Sequence, residues 1–215
     1  MSIGVPARPA VWCDFAGVLT APVTDTFTTF CAKIRVRPEF LMASMLAVAR
    51  EFGTDDIMLP LDTPLLSGIQ WVREMESVLA RDFATNVDLS RFAELWFAER
   101  PPNTAMIDFV RTLRAEGVFV GMVSNMPPDF DPYWRAIVEP ELFDEVILSY
   151  EVGCRKPDRD IYELCAVKAS VPATSCVLID DLAVNCRGAV DNGWQAVEFK
   201  DTDDAITRVR EAVGL

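Results

Sequence analysis

The sequence predicts an α/β fold, a doubly wound parallel sheet with an inserted α-helical cap, and three observations point to it. Short, continuous apolar runs end in carboxylates, as in Ala10-Val11-Trp12-Cys13-Asp14 and Val177-Leu178-Ile179-Asp180-Asp181. Such runs suit strands buried on both faces of a parallel sheet. After Pro102, helical and strand patterns alternate. Between the first run and Pro102, only helical periodicity is found.

Residues 10–14 read as the first strand, followed by a glycine-containing turn at Gly17. The spacing then predicts helices over Val23–Ile34, Glu39–Phe52, Leu65–Phe83 and Leu89–Glu99. Pro38, Gly53, Pro60, Pro64 and Pro101-Pro102 punctuate them. Thr104–Glu116 reads as a helix ended by Gly117, and Val118–Val123 as a strand leading into Ser124-Asn125. Val146–Leu148 is a short strand, Arg159–Lys168 a helix and Cys176–Ile179 a strand. Leu182–Asn192 is a helix closed by Gly193, Gln195–Phe199 a strand and Asp203–Val213 the last helix. The expected division is a core of residues 1–20 and 102–215, with a cap of residues 21–101.

Composition narrows the function. About half of the 215 residues are apolar, enough for a substantial core. The net charge of −13, with Lys33, Arg35 and Arg37 only scattered, argues against a nucleic-acid partner. The chain has no histidine, which excludes Ser-His-Asp and Cys-His triads and histidine zinc sites. Cysteines 13, 31, 154, 165, 176 and 186 show no zinc spacing and read as reduced, mostly buried thiols. The longest apolar stretch, Phe40 to Ala49, is short for a membrane span, and the N-terminus lacks a signal-like pattern. The expected location is therefore cytoplasmic. Trp71 and Trp96 of the insertion would serve either a homodimer surface or the core.

The strand ends carry the chemistry. Asp14, Ser124-Asn125, the Lys156 loop and Asp180-Asp181 are far apart in sequence, but each follows a predicted strand. In open α/β sheets, ligands bind at the carboxyl ends of the strands, so the fold gathers these groups in one crevice. Carboxylates converging there can meet on one Mg²⁺ and on a phosphate or acyl centre.

These motifs resemble those of the haloacid dehalogenase-like (HAD) hydrolase superfamily, whose core is Rossmann-like. Val123-Ser124-Asn125 is similar to the family's hydroxyl motif, and Glu151 to Asp158, with Arg155-Lys156-Pro157-Asp158, to its lysine motif. Leu178-Ile179-Asp180-Asp181 followed by Asn185 is similar to its acidic motif. A helical insertion directly after the first motif resembles the dehalogenase and epoxide-hydrolase N-terminal-domain branch. The resemblance implies that Asp14 is a nucleophile and Mg²⁺ ligand, with the Ala16 backbone carbonyl as a second ligand. It implies that Ser124 and the Asn125 N–H hold phosphoryl oxygens, and that Lys156 neutralises charge. Asp181 would ligate the metal directly and Asp180 directly or through water, while Asn185 would orient the loop or Lys156. The implied substrate is a small phosphorylated molecule, partly apolar in view of the insertion.

One position departs from the pattern. Most phosphatases of this family carry a second acid two residues after the nucleophile, and here that residue is Ala16. Loss of general acid–base help costs roughly 10²–10⁴-fold. Three readings stay open. The chain is a Mg²⁺-dependent hydrolase whose substrates have good leaving groups or which has a substitute acid. Alternatively it performs non-standard chemistry on a phosphonate or diphosphate, or is a catalytically weak phosphate-binding or regulatory module. Thr20, Thr24 and Lys33 are the candidate substitutes, Lys33 being the one lysine of the insertion.

Overall fold

The computed structural model describes residues 8–63 and 65–215. Residues 1–7 of the expected core and Pro64, expected as a helix breaker, lie outside the described residues. The described residues form two compact units: residues 8–21, 101–125 and 137–215, and residues 22–63 and 65–100 with 126–136.

The first unit is built on five strands, β1 (Ala10–Cys13), β2 (Phe119–Ser124), β3 (Glu145–Leu148), β4 (Cys176–Asp180) and β5 (Gln195–Glu198). All neighbouring pairs are parallel, in the order β3-β2-β1-β4-β5. The sheet is therefore the expected doubly wound one. Every β1 residue is buried, as continuous apolar runs demand of a central strand. The connections turn to opposite sides of β1, which makes its carboxyl end the switch point where a ligand crevice forms. Trp12 lies opposite Gly121, where a Cβ would come within 2.4 Å of the indole ring. A glycine in the second strand thus makes room for the bulkiest residue of the first.

Helices α6 (Thr104–Ala115) and α11 (Thr202–Val213) pack together on one face of this sheet. Helices α9 (Arg159–Ala169) and α10 (Ala183–Asp191) cover the other, over Ala10, Trp12, Val123, Ile147 and Leu178. A single-turn helix, α8 (Ser149–Val152), follows β3. Asn103 caps α6 through Met106 N–H and also donates to the Val18 carbonyl at 3.0 Å. Ala21 N–H donates to the Pro101 carbonyl at 3.1 Å, pairing the segments where the chain leaves and re-enters this unit.

The second unit contains α1 (Val23–Ile34), α2 (Pro38–Glu51), α3 (Leu59–Asp62), α4 (Gly68–Phe83) and α5 (Phe92–Phe97), plus most of α7 (Asp131–Ile137). The third long helix starts at Gly68 rather than Leu65 because Ser67 and Gln70 form a reciprocal capping box. Aromatic packing holds the unit together. Phe92 meets Phe30 and Trp71 at centroid distances of 4.5 and 5.1 Å. Phe97 packs on Phe130 and Tyr133 at 5.1 and 5.5 Å, which attaches residues 126–136 to this unit. Trp71 is buried in that packing, so of the two tryptophans considered for a dimer surface it belongs to the core. Trp96 is half-buried and stacks on Phe92.

Among the described residues, no helix is long and apolar enough to cross a membrane. All six cysteines are free thiols, five of them buried.

Candidate active site

Asp14 is the first residue beyond β1, and its backbone N–H donates to the Ile179 carbonyl of β4 at 2.9 Å. The next residues make a sharp turn in which Ala16 is extended (φ −78°, ψ 124°) and Gly17 is left-handed (φ 81°). The Thr20 hydroxyl donates to the Phe15 carbonyl at 3.3 Å and fastens the end of the turn. Gly17 is required twice over. Its φ suits glycine, and a Cβ there would sit 2.3 Å from Asp181 Oδ2.

Lys156 is the centre of the site. It is 1 % exposed, and its Nζ lies 2.9 Å from Asp14 Oδ1 and 2.5 Å from Asp180 Oδ2. Its backbone is held as firmly. Asn125 Nδ2 donates to the Lys156 carbonyl at 2.7 Å, and the Lys156 N–H donates to Asn125 Oδ1 at 2.8 Å. Asn125 follows β2, so a residue at one strand end clamps the loop after another.

Asp180 is fully buried and fully occupied. Its Oδ1 accepts from Leu182 N–H at 2.9 Å and from Asn185 Nδ2 at 3.0 Å. Its Oδ2 accepts from Lys156 and, at 3.1 Å, from Asn185 Nδ2. Asn185, in the first turn of α10, therefore acts on Asp180 rather than on Lys156 itself. Asp181 is half-buried beside them, and ligand oxygens of Asp14, Asp180 and Asp181 all lie within 4.8 Å of one another. Ser124 ends β2 and is buried. The register Cys13↔Met122 puts it on the same sheet edge as Asp14.

The electrostatics follow from three carboxylates around one ammonium. Burial pushes the Asp14 carboxyl up, Lys156 opposes that, and Asp180 adds to it. Burial alone would lower the Lys156 ammonium, but Asp14 and Asp180 reverse this and hold it above its ordinary value. Burial, then Asp14 and Asp180, push Asp181 up to about 7. Ionised, the four groups carry two surplus negative charges, a setting suited to a divalent cation with oxygen ligands.

The structure thus joins Asp14, Lys156, Asp180, Asp181, Asn125 and Asn185 in one connected cluster, with Ser124 on the same edge. Ala16 is half-buried in the turn between Asp14 and Gly17. Of the substitute acids considered, Thr20 serves the turn. Lys33 pairs with Glu99 at 3.4 Å inside the second unit, and Thr24 is exposed on α1. Tyr162, which donates to the Asn185 carbonyl at 2.7 Å, escapes sequence reading. A tyrosine on an amphipathic helix has the pattern of any core residue.

A family model for haloacid dehalogenase-like hydrolases matches residues 9–193. The chain belongs to that family. Among curated proteins, it is 31 % identical over 114 residues to sesquiterpene phosphatase astK of Aspergillus oryzae, covering 53 % of this chain and 58 % of the relative. It is 25 % identical to bifunctional epoxide hydrolase 2 of Sus scrofa, covering 97 % of this chain and 39 % of the relative. A phosphatase of Mycobacterium tuberculosis is 28 % identical, with 66 % of this chain and 65 % of the relative covered. The chain therefore spans 58 % and 39 % of the first two relatives' length, less than two thirds of either. A HAD family enzyme from Bacteroides thetaiotaomicron, solved with magnesium, superposes with a TM-score of 0.68 at 19 % identity, covering 95 % of this chain and 99 % of that one. L-2-haloacid dehalogenase of Xanthobacter autotrophicus superposes with a TM-score of 0.63 at 17 % identity, covering 95 % and 83 %. At these identities, the two structures share the fold of this HAD-like hydrolase.

Proposed function

We propose that this HAD-like hydrolase is a Mg²⁺-dependent phosphohydrolase that acts on a small organic phosphate through Asp14. The observation that carries the proposal is Lys156, buried between Asp14 and Asp180 at the switch point of the sheet. A buried ammonium beside a carboxylate favours its ionised, nucleophilic form, and phosphoryl transfer depends mainly on positioning and charge neutralisation.

Asp14 attacks phosphorus, the bond to the leaving oxygen breaks, and water then releases phosphate from the aspartyl group. Lys156 neutralises negative charge on Asp14 and the transferring group. The Ser124 hydroxyl and Asn125 N–H hold phosphoryl oxygens, while the Asn125 side chain keeps Lys156 in place. The donor set fits Mg²⁺: hard oxygens, close spacing and surplus negative charge. Asp14, Asp181 and the Ala16 carbonyl would hold the ion, with Asp180, already engaged by Lys156 and Asn185, acting through water. Bound there, Mg²⁺ supplies charge stabilisation to the phosphoryl oxygens.

Ala16 has no proton to give, and the carboxylates around it are committed to Lys156 or suited to the metal. This favours substrates whose leaving group departs as a stable anion, such as aryl or acyl phosphates and diphosphates. The sesquiterpene phosphatase relative supports a substrate with an apolar part. The charge of −13 supports a small-molecule rather than a nucleic-acid partner, and the free thiols support a cytoplasmic setting.

The test is phosphate release, with and without Mg²⁺, from a series of aryl, acyl and alkyl phosphates. The expected result is Mg²⁺-dependent turnover of the first two classes, alkyl esters slower by roughly 10²–10⁴-fold, and loss of all turnover in Asp14→Asn. Ala16→Asp should selectively raise the alkyl rates. Unchanged turnover in Asp14→Asn refutes the proposal.

A further inference from the structure

The contacts that hold Lys156 do not stop at Asp180. Asn185 grips both Asp180 oxygens, and its own carbonyl accepts the Tyr162 hydroxyl at 2.7 Å. Tyr162 is fully buried on α9 and packs edge-on against Trp194 with centroids 5.5 Å apart. Gly188, one turn beyond Asn185, opens the space for this. A Cβ there would lie 3.0 Å from the Tyr162 hydroxyl and 2.9 Å from the Pro157 carbonyl. The side chains and backbone therefore run as one line: Tyr162, Asn185, Asp180, Lys156, Asp14. It ties α9, α10 and the ends of β4 and β1 into a single mount.

We propose that Tyr162 is a positioning residue for the reaction: its hydroxyl fixes the first turn of α10 at Asn185, and through Asn185 and Asp180 it sets the Lys156 ammonium against Asp14. The assignment rests on reading Asp14 and Lys156 as the reacting pair. Asp180 has two rotatable bonds and is held at both oxygens, so a shift at Asn185 passes directly into the Asp180–Lys156 contact. In that line, Asn185, Asp180 and Lys156 stand between the Tyr162 hydroxyl and Asp14. Its removal should therefore alter the chemical step while leaving substrate binding as it was.

The experiment is a double-mutant cycle on the full chain, with an aryl phosphate and Mg²⁺, comparing native protein, Tyr162→Phe, Asn185→Ala and the double variant. Phenylalanine keeps the ring and its packing, and melting curves check the fold. Tyr162→Phe should lower kcat roughly 3- to 10-fold, the rate equivalent of one hydrogen bond, with KM changed less than about twofold. In the Asn185→Ala background, the same change should cost less than about twofold, because its path to Lys156 is already cut. Trp194→Phe trims the packing and keeps the hydroxyl, so it should lower the melting temperature and spare kcat. Additive losses in the cycle, a rise in KM alone, or an equal kcat loss in Trp194→Phe would each overturn the role of Tyr162. Turnover that survives Asp14→Asn would instead overturn the phosphohydrolase reading beneath it.

Discussion

Replacing Lys156 with methionine keeps the unbranched, flexible shape of the side chain, one heavy atom shorter, and removes its charge. The ammonium is 2.9 Å from Asp14 and 2.5 Å from Asp180, with almost no exposure to water. At an effective dielectric of about 20, one such contact is worth on the order of 6 kcal/mol of attraction, which the desolvation of the three groups largely offsets. Removing the cation alone leaves the desolvation and takes away its compensation. The expected loss at neutral pH is about 3–5 kcal/mol of folding stability. The loss must also depend on pH. Burial already raises the Asp14 carboxyl, and Lys156 is the strongest influence opposing that rise. Without Lys156, the folded-state pKa climbs further above its unfolded value of about 3.9. A carboxyl raised in this way contributes stability below its unfolded pKa and loses it as pH rises through the folded pKa. The variant should therefore regain stability on acidification, by up to about 1.4 kcal/mol per pH unit and per group. Urea denaturation in EDTA, followed through the five tryptophans, would be compared at pH 5 and 7.5. A loss under about 1 kcal/mol, or the same loss at both pH values, would refute the reasoning.

Two further outcomes concern Gly17, in the turn after β1, and Asp181, which follows β4 and faces it. Gly17→Ala places a Cβ 2.3 Å from Asp181 Oδ2 in a left-handed backbone, at a conformational cost of roughly 1–2 kcal/mol. It should displace Asp181 and weaken Mg²⁺ binding about tenfold or more; calorimetry showing native affinity would contradict this. Asp181 itself, raised to about 7, contributes stability that is lost as pH climbs from about 4 through 7 in the metal-free protein. A cation that binds the ionised form reverses the penalty, so the melting-temperature gain from Mg²⁺ should be larger at pH 8 than at pH 6. A larger gain at pH 6 would count against metal binding at this carboxylate.

Much of the core was legible because its signals are local. A continuous apolar run names a strand buried on both faces, and an alternation of strand and helix patterns names a parallel sheet. All five strands lie where those runs lie, within a residue or so at each end. The helical segment was legible as helices, but not its membership. Residues 126–136 join it through Phe130 and Tyr133 on Phe97, a contact between residues more than thirty positions apart that no periodicity encodes.

For the candidate site, the sequence by itself determined which groups stand at the strand ends: Asp14, Ser124, Asn125, Lys156, Asp180, Asp181, and alanine at position 16. Strand direction and sheet order then bring those ends to one edge. Only the tertiary structure decided how they are used against one another. It put Lys156 between Asp14 and Asp180, turned the Asn125 side chain onto the Lys156 backbone, and set Asn185 and Tyr162 behind Asp180. The reason is physical. A strand or turn follows from the conformational preferences of a few successive residues. A buried charge, in contrast, is stable only when partners from distant segments supply opposite charge and hydrogen bonds at contact distance.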